Sequence, residues 1–166
     1  MIKSETSRWS GAFGDLSCDD QFLVARLVKE GGAIKGTVEQ ITQRLKRTRK
    51  LFLLRIKVDN RIVGVAALKT PTSKYRARKF AAAGVPIANY ANALELGYVV
   101  IAEEMRGQKL SGVLCDAVSQ EISEPAFATT DSNTMKKNLE RSGFTTAGRE
   151  WQGRKGMLSL WLITPR

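Results

Sequence analysis

Seven residues, Met105-Arg106-Gly107-Gln108-Lys109-Leu110-Ser111, sit between an apolar strand-like stretch and an amphipathic helix-like one. A strand that turns sharply into a helix leaves several backbone N–H groups unpaired at the positive end of the helix dipole, so such a turn can hold a phosphate. Upstream, Glu95 is a lone acid at the start of the apolar stretch. It is either a solvated gatekeeper at the strand's end or a carboxylate kept for proton transfer. The sequence has no histidine, and its two cysteines, Cys18 and Cys115, lie far apart with no ligand-type spacing. That composition excludes zinc sites and Ser-His or Cys-His nucleophile pairs. A general base must then be a carboxylate, an amine, a tyrosine or water.

The elements that position these residues follow from hydrophobic period and stop signals. Leu94 to Ala102 reads as a strand and Gly107 to Ile122 as a helix turning Leu110, Val113, Leu114, Ala117 and Val118 inward. Pro125 leads into a short strand, Ala126 to Thr130, then a helix over Asn133 to Ser142 stopped by Gly143. Phe144 to Trp151 and Met157 to Ile163 close the chain as a hairpin. Earlier, Ser17 caps a helix over Asp19 to Glu30 with Phe22, Leu23, Leu27 and Val28 on its buried side. Thr37 and Gln40 form a capping box for a helix that runs to about Arg47. Leu51 to Val58 and Arg61 to Lys69 read as a hairpin across Asp59-Asn60. Thr70 to Asn92 reads as a long surface excursion holding a short helix from Ser73, as its cap, to Ala83. The pattern is α/β with a mixed sheet.

At 166 residues, 43% hydrophobic and 26% charged, the chain is expected to form one domain over 1–166. No stretch has the length of apolar residues a membrane span needs, and Met1 to Gly11 lacks the apolar centre of a signal peptide. A cytoplasmic protein is the expectation. The net charge of +11 is concentrated: Lys35 to Lys79 holds 14 Lys or Arg against Glu39 and Asp59, whereas the remainder holds 13 basic and 14 acidic residues. Segment 35–79 either draws in an anionic partner, such as RNA or a nucleoprotein, or merely solvates a helix and a sheet edge. A homodimer is left open.

Three motifs in this order, Glu95-Leu96-Gly97-Tyr98, then Arg106-Gly107-Gln108-Lys109-Leu110-Ser111, then Leu139-Glu140-Arg141-Ser142-Gly143-Phe144, together resemble the GNAT superfamily of acetyl-coenzyme-A-dependent N-acetyltransferases. The resemblance covers about Leu51 to Ile163 and implies a splayed central sheet flanked by helices. It implies acetyl-coenzyme A (acetyl-CoA) as donor, a primary amine as acceptor, and direct attack in a ternary complex. The loop Arg106, Gly107, Gln108, Lys109, Leu110 and Ser111 would bind the pyrophosphate. Lys109 and Ser111 stand where glycine or alanine is usual in the family. Val100 and Ile101 would offer backbone partners to the acetyl and pantetheine groups, and Asn133 would contact coenzyme A or simply cap its helix. Glu95 matches the family's general base. A bulge near Gly97 to Val100 would shift the strand's parity and aim an amide at the acetyl carbonyl. The tyrosine that protonates the thiolate in many members is Leu139 here, so Tyr98, Tyr90 or water would have to serve. No metal is implied. The alternative is a GNAT-fold protein of weak or no activity that binds nucleic acid or an acidic partner through segment 35–79.

Overall fold

A computed structural model describes residues 5–165, so the first four residues of the stretch read for a leader lie outside it. Seven strands, β1 (Thr6–Gly11), β2 (Lys50–Ile56), β3 (Ile62–Lys69), β4 (Leu94–Ile101), β5 (Ala126–Thr130), β6 (Thr145–Gln152) and β7 (Met157–Ile163), form one mixed sheet in the order β1-β2-β3-β4-β5-β7-β6. The helices are α1 (Cys18–Glu30), α2 (Val38–Leu45), α3 (Ser73–Ala83), α4 (Leu110–Glu121) and α5 (Asn133–Arg141). None of them is long and apolar enough to cross a membrane.

Among the described residues the only parallel pairing is β4 with β5, and it lasts for two register pairs, Leu94 with Ala126 and Glu95 with Phe127. Beyond Glu95 the two strands part. This is the splay that the resemblance implies, and it leaves the β5-facing edge of β4 without a strand partner.

Register assigns the faces. Val65, Ala67 and Lys69 alternate along one face of β3, and their partners on β4 are Val100, Gly97 and Glu95. Residues 97 and 100 therefore share a face although their spacing is odd. The irregularity is a bulge centred on Tyr98, whose φ of 53° is left-handed. A regular strand would have put Val99 with Glu95; the bulge puts Val100 there instead. Val100 packs where a side chain on Gly31, the residue ending α1, would stand, so this face carries α1. Ile101 points to the other face, where it and Leu114 of α4 meet over Gly64.

The second-half strand limits match expectation, with β5 and β7 agreeing at both ends. Four features differ. β1 was not expected: its sequence is polar apart from Trp9, and it is held by edge pairing with β2 rather than by its own period. Phe22 and Leu23, expected inward, are 52% and 44% exposed, because α1 buries Val24, Ala25, Leu27 and Val28. Thr72, not Ser73, caps α3. α4 begins at Leu110, since Gly107 and Lys109 both have positive φ and belong to the turn.

The excursion between β3 and β4 is pinned rather than loose. Arg76 is buried within α3 and donates to the carbonyls of Pro71, Ala91 and Ala93, tying both ends of the segment together. Phe80 lies edge-on to Phe127 of β5 at 5.4 Å, and a side chain at Gly148 of β6 would run into the Ala83 carbonyl. α3 is thus clamped onto the sheet.

Candidate functional site

Four helices begin with a hydroxyl side chain accepting from a first-turn amide: Ser17 from Asp20, Thr37 from Gln40, Thr72 from Tyr75 and Ser132 from Met135. α4 begins with Lys109 in the left-handed region, φ 61° and ψ 24°, and has no side-chain cap. The backbone amides of Gly107, Lys109, Leu110, Ser111 and Gly112 have no hydrogen-bond acceptor among the described residues, while that of Gln108 closes the tight turn over Arg106 and Gly107. Five unpaired donors at the positive end of a twelve-residue helix fit an oxyanion ligand such as a pyrophosphate. The turn borders an open groove of about 580 Å³ lined in part by Gln108, Lys109, Leu110 and Arg141. A side chain on Gly107 would meet no atom within 4 Å, so this point of the turn faces open space.

Two contacts brace this turn from behind. Asn138 of α5 is buried and its Nδ2 donates to the Ser111 hydroxyl at 2.8 Å, and its Oδ1 leaves little room for a side chain on Gly112. Arg106 Nε donates to the carbonyl of Ile101 at 3.3 Å, so the guanidinium is folded back along β4. The Ser111 hydroxyl and Arg106 Nε are thus both engaged within the protein, which leaves the main-chain amides and the exposed Lys109 side chain as the turn's groups for an anion. Asn138 carried no sequence signal; an Asn two-thirds along a helix reads as surface until the facing helix is known.

The β4 bulge organises a second cluster. Glu95 is 3% exposed, so it is not a solvated gatekeeper. Its Oε2 accepts from the Tyr75 hydroxyl at 3.0 Å, and its Oε1 lies 2.6 Å from Lys69 Nζ, a close ion pair whose alignment is not that of a directed hydrogen bond. Lys69 Nζ also lies 4.5 Å from the centre of the Tyr98 ring, so the bulge brings Glu95 and Tyr98 to one lysine. Gly97 makes this crossing possible, because a side chain there would strike Lys69 Cδ. Burial and the neighbouring Glu95 charge push the Tyr75 phenol far above its usual range. Burial lowers Lys79, whose ammonium stands 5.1 Å over the Tyr75 ring, with the Glu95 charge opposing the shift. Lys69, Tyr75 and Lys79 were absent from the sequence reading, since they reach Glu95 across a strand pair and from an inserted helix.

The remaining candidates are placed as follows. Val100 and Ile101 lie on the splayed length of β4, with side chains on opposite faces of the sheet. Asn133 is the first residue of α5, but the cap is Ser132, which leaves the exposed Asn133 amide without a structural partner among the described residues. Leu139 is fully buried in the core, and Tyr90 packs on Phe80 with centroids 5.7 Å apart. Cys115 is fully buried, its thiol pushed up to about 12 by burial and by the Asp116 charge, which marks packing rather than a nucleophile. Above β4, Lys155 Nζ of the β6–β7 turn donates to the Gly32 carbonyl at 3.4 Å, joining that turn to the end of α1.

The basic segment is less uniform in space than in sequence. Arg49, Lys50, Arg55, Lys57, Arg61 and Lys69 pair with acids brought from outside it: Glu124, Glu121, Asp20, Glu5, Glu104 and Glu95. Among the described residues, the ion pairs leave out Arg44, Lys46 and Arg47 at the end of α2, and Lys74, Arg78 and Lys79 on α3. The Thr70 hydroxyl donates to the Arg47 carbonyl at 3.0 Å, tying the chain just before α3 to the chain just after α2.

No protein-family model matches the sequence, and no curated protein sequence matches it. Solved structures do. A GNAT family acetyltransferase from Streptococcus agalactiae is 11% identical with a TM-score of 0.70, over 99% of each chain. An acyl-CoA N-acyltransferase from Pseudomonas aeruginosa is 10% identical with a TM-score of 0.67, over 96% of this chain and all of that one. A GNAT family acetyltransferase from Elizabethkingia anophelis, with acetyl-CoA bound, is 16% identical with a TM-score of 0.58, over 98% and 99%. The chain therefore has the GNAT acyl-CoA N-acyltransferase fold over nearly its whole length.

Proposed function

We propose that this GNAT-fold chain is an N-acetyltransferase that moves an acetyl group from acetyl-CoA to a primary amine by direct attack in a ternary complex. The observation that carries the reading is the set of five unpaired amides between Gly107 and Gly112, beyond the length of β4 that has parted from β5. Those amides would hold the pyrophosphate, with Asn133 and the free edge of β4 around Val100 and Ile101 as further polar partners. The donor, when bound, supplies a thioester whose carbonyl carbon is the electrophile. Glu95 would act as general base; its charge draws the acceptor proton, by way of Lys69 Nζ or a water, because its own oxygens are turned inward. The buried, strongly protonated Cys115 argues against a covalent acetyl-enzyme.

The acceptor would arrive on the face that carries α1 and α3. Its rim bears the unpaired bases of α2 and α3, which favours an amine attached to an anionic molecule, RNA or a nucleoprotein included. The same rim would serve a protein that only binds nucleic acid. Steeply salt-dependent binding without acetyl transfer would favour that second reading.

The test has two stages. Coenzyme A or acetyl-CoA should raise the melting temperature, and no rise with either ends the reading. A screen of amines, peptides and aminoacyl-tRNA with labelled acetyl donor then identifies the acceptor class. Glu95→Gln should lower transfer at least tenfold while keeping the ligand-induced shift, and unchanged transfer removes Glu95 from its assigned role.

A further inference from the structure

We infer that Lys69 is the acid that protonates the departing thiolate, the role left vacant by Leu139; this rests on the acetyl-transfer reading above.

Three observations converge on it. Lys69 leaves β3 at its last residue, crosses β4 through the gap left by Gly97, and puts Nζ over the strand just where β4 and β5 part. Its side chain is 25% exposed while that of Glu95 is 4%, so Lys69 is the member of the pair that a reacting group meets first. The other acids nearby are less fit. The Tyr75 proton is committed to Glu95, Tyr98 presents its ring to Lys69, and Leu139 is buried carbon. The charged and titratable groups facing Lys69 Nζ are Glu95 and Tyr98 from β4 and Tyr75, Arg78 and Lys79 from α3.

The step balances without another reactant. The acceptor enters as a free amine, its ammonium proton having passed by way of a water to Glu95 and on to solvent. Its nitrogen forms the N–C bond to the acetyl carbon, and the C–S bond breaks with its electron pair left on sulfur. Lys69 Nζ gives that sulfur a proton and recovers one from the acceptor nitrogen, which ends as a neutral amide. Glu95 is a positioning residue for this step: its carboxylate holds the ammonium over Gly97.

The titration needs no knowledge of the acceptor, and the transfer assay uses the acceptor found by the screen above. Coenzyme A bound to the wild-type protein is titrated by the ultraviolet absorbance of its thiolate, with thermal shift reporting occupancy. An ammonium beside the sulfur lowers the thiol pKa relative to free coenzyme A. The expected result is a thiolate fraction at neutral pH at least tenfold higher in the bound wild type than in Lys69→Met, with Lys69→Arg close to wild type. Lys69→Arg should still fail to transfer from acetyl-CoA, because a guanidinium keeps its proton. Should Lys69→Met fail to fold because Glu95 is left unpaired, the double variant Lys69→Met/Glu95→Gln removes both charges and gives the same readout. Coenzyme A that stabilises the wild type but titrates identically in the variants overturns the role of Lys69 alone. Coenzyme A that stabilises none of them overturns this inference and the acetyl-transfer reading together.

Discussion

The start of α4 and the starts of the other four helices solve the same problem in opposite ways. Every helix leaves its first amides without internal acceptors. Ser17, Thr37, Thr72 and Ser132 satisfy theirs from within the chain, whereas α4 spends no side chain on this and begins on a strained left-handed lysine. α4 holds together regardless, because Leu110, Leu114, Cys115 and Val118 are buried against the sheet. Packing supplies its stability, which frees its amides for a ligand. A helix that lacks a side-chain cap beside the splayed strands has amides available to a ligand.

The largest effect that would break this comparison is the ligand's own. Coenzyme A at 100 times its dissociation constant should stabilise the protein by about 2.7 kcal/mol. Lys109→Asp should remove most of that gain by placing a carboxylate among the donors. The same substitution should raise the stability of the free protein by about 0.5 kcal/mol, since an acid favours a helix start and Asp tolerates the left-handed region. Opposite signs in the free and ligand-bound proteins, read by denaturant titration, are the signature. A variant that still responds fully to coenzyme A would show that the anion binds elsewhere.

A smaller effect sharpens the contrast. Ser17→Ala and Thr37→Ala should each cost about 1 kcal/mol, because each orphans a first-turn amide that now has an acceptor. Neither should alter the response to coenzyme A. Lys109→Ala has no cap bond to remove and should cost less than either. Equal losses at all three positions would mean that the start of α4 is satisfied in some other way and that its bareness has no functional content.

What could be read from the sequence divides along the same line. The bulge near Tyr98 was expected only through the family resemblance, whereas the bare turn and the strands after α4 were legible because each is a local pattern of a few residues. The Thr37-Gln40 capping box was legible for the same reason. The companions of Glu95 were not, since Lys69 meets it only through the β3–β4 register and Tyr75 only through the docking of α3. Charge misled in a similar way. Six bases of segment 35–79 are matched by acids that are distant in sequence, so a count along the chain overstates the field in space. β1 was missed because an edge strand with one large apolar residue has no period to detect.

The smallest effect bears on Lys109 itself, whose side chain either joins the ligand or points to solvent. Lys109→Gly relieves the left-handed strain, worth roughly 1 to 2 kcal/mol, and adds backbone freedom to the unfolded chain, worth roughly 0.5 to 1 kcal/mol in the other direction. The net gain in the free protein should therefore be small, about 0.5 to 1 kcal/mol. The response to coenzyme A then isolates the ammonium, because the row of amides is untouched. An undiminished response means that the main chain does the binding and the lysine is tolerated at a glycine position. A response weakened tenfold or more means that the ammonium supplies part of the attraction, and the αL strain at Lys109 is then the cost of putting that charge beside the phosphates.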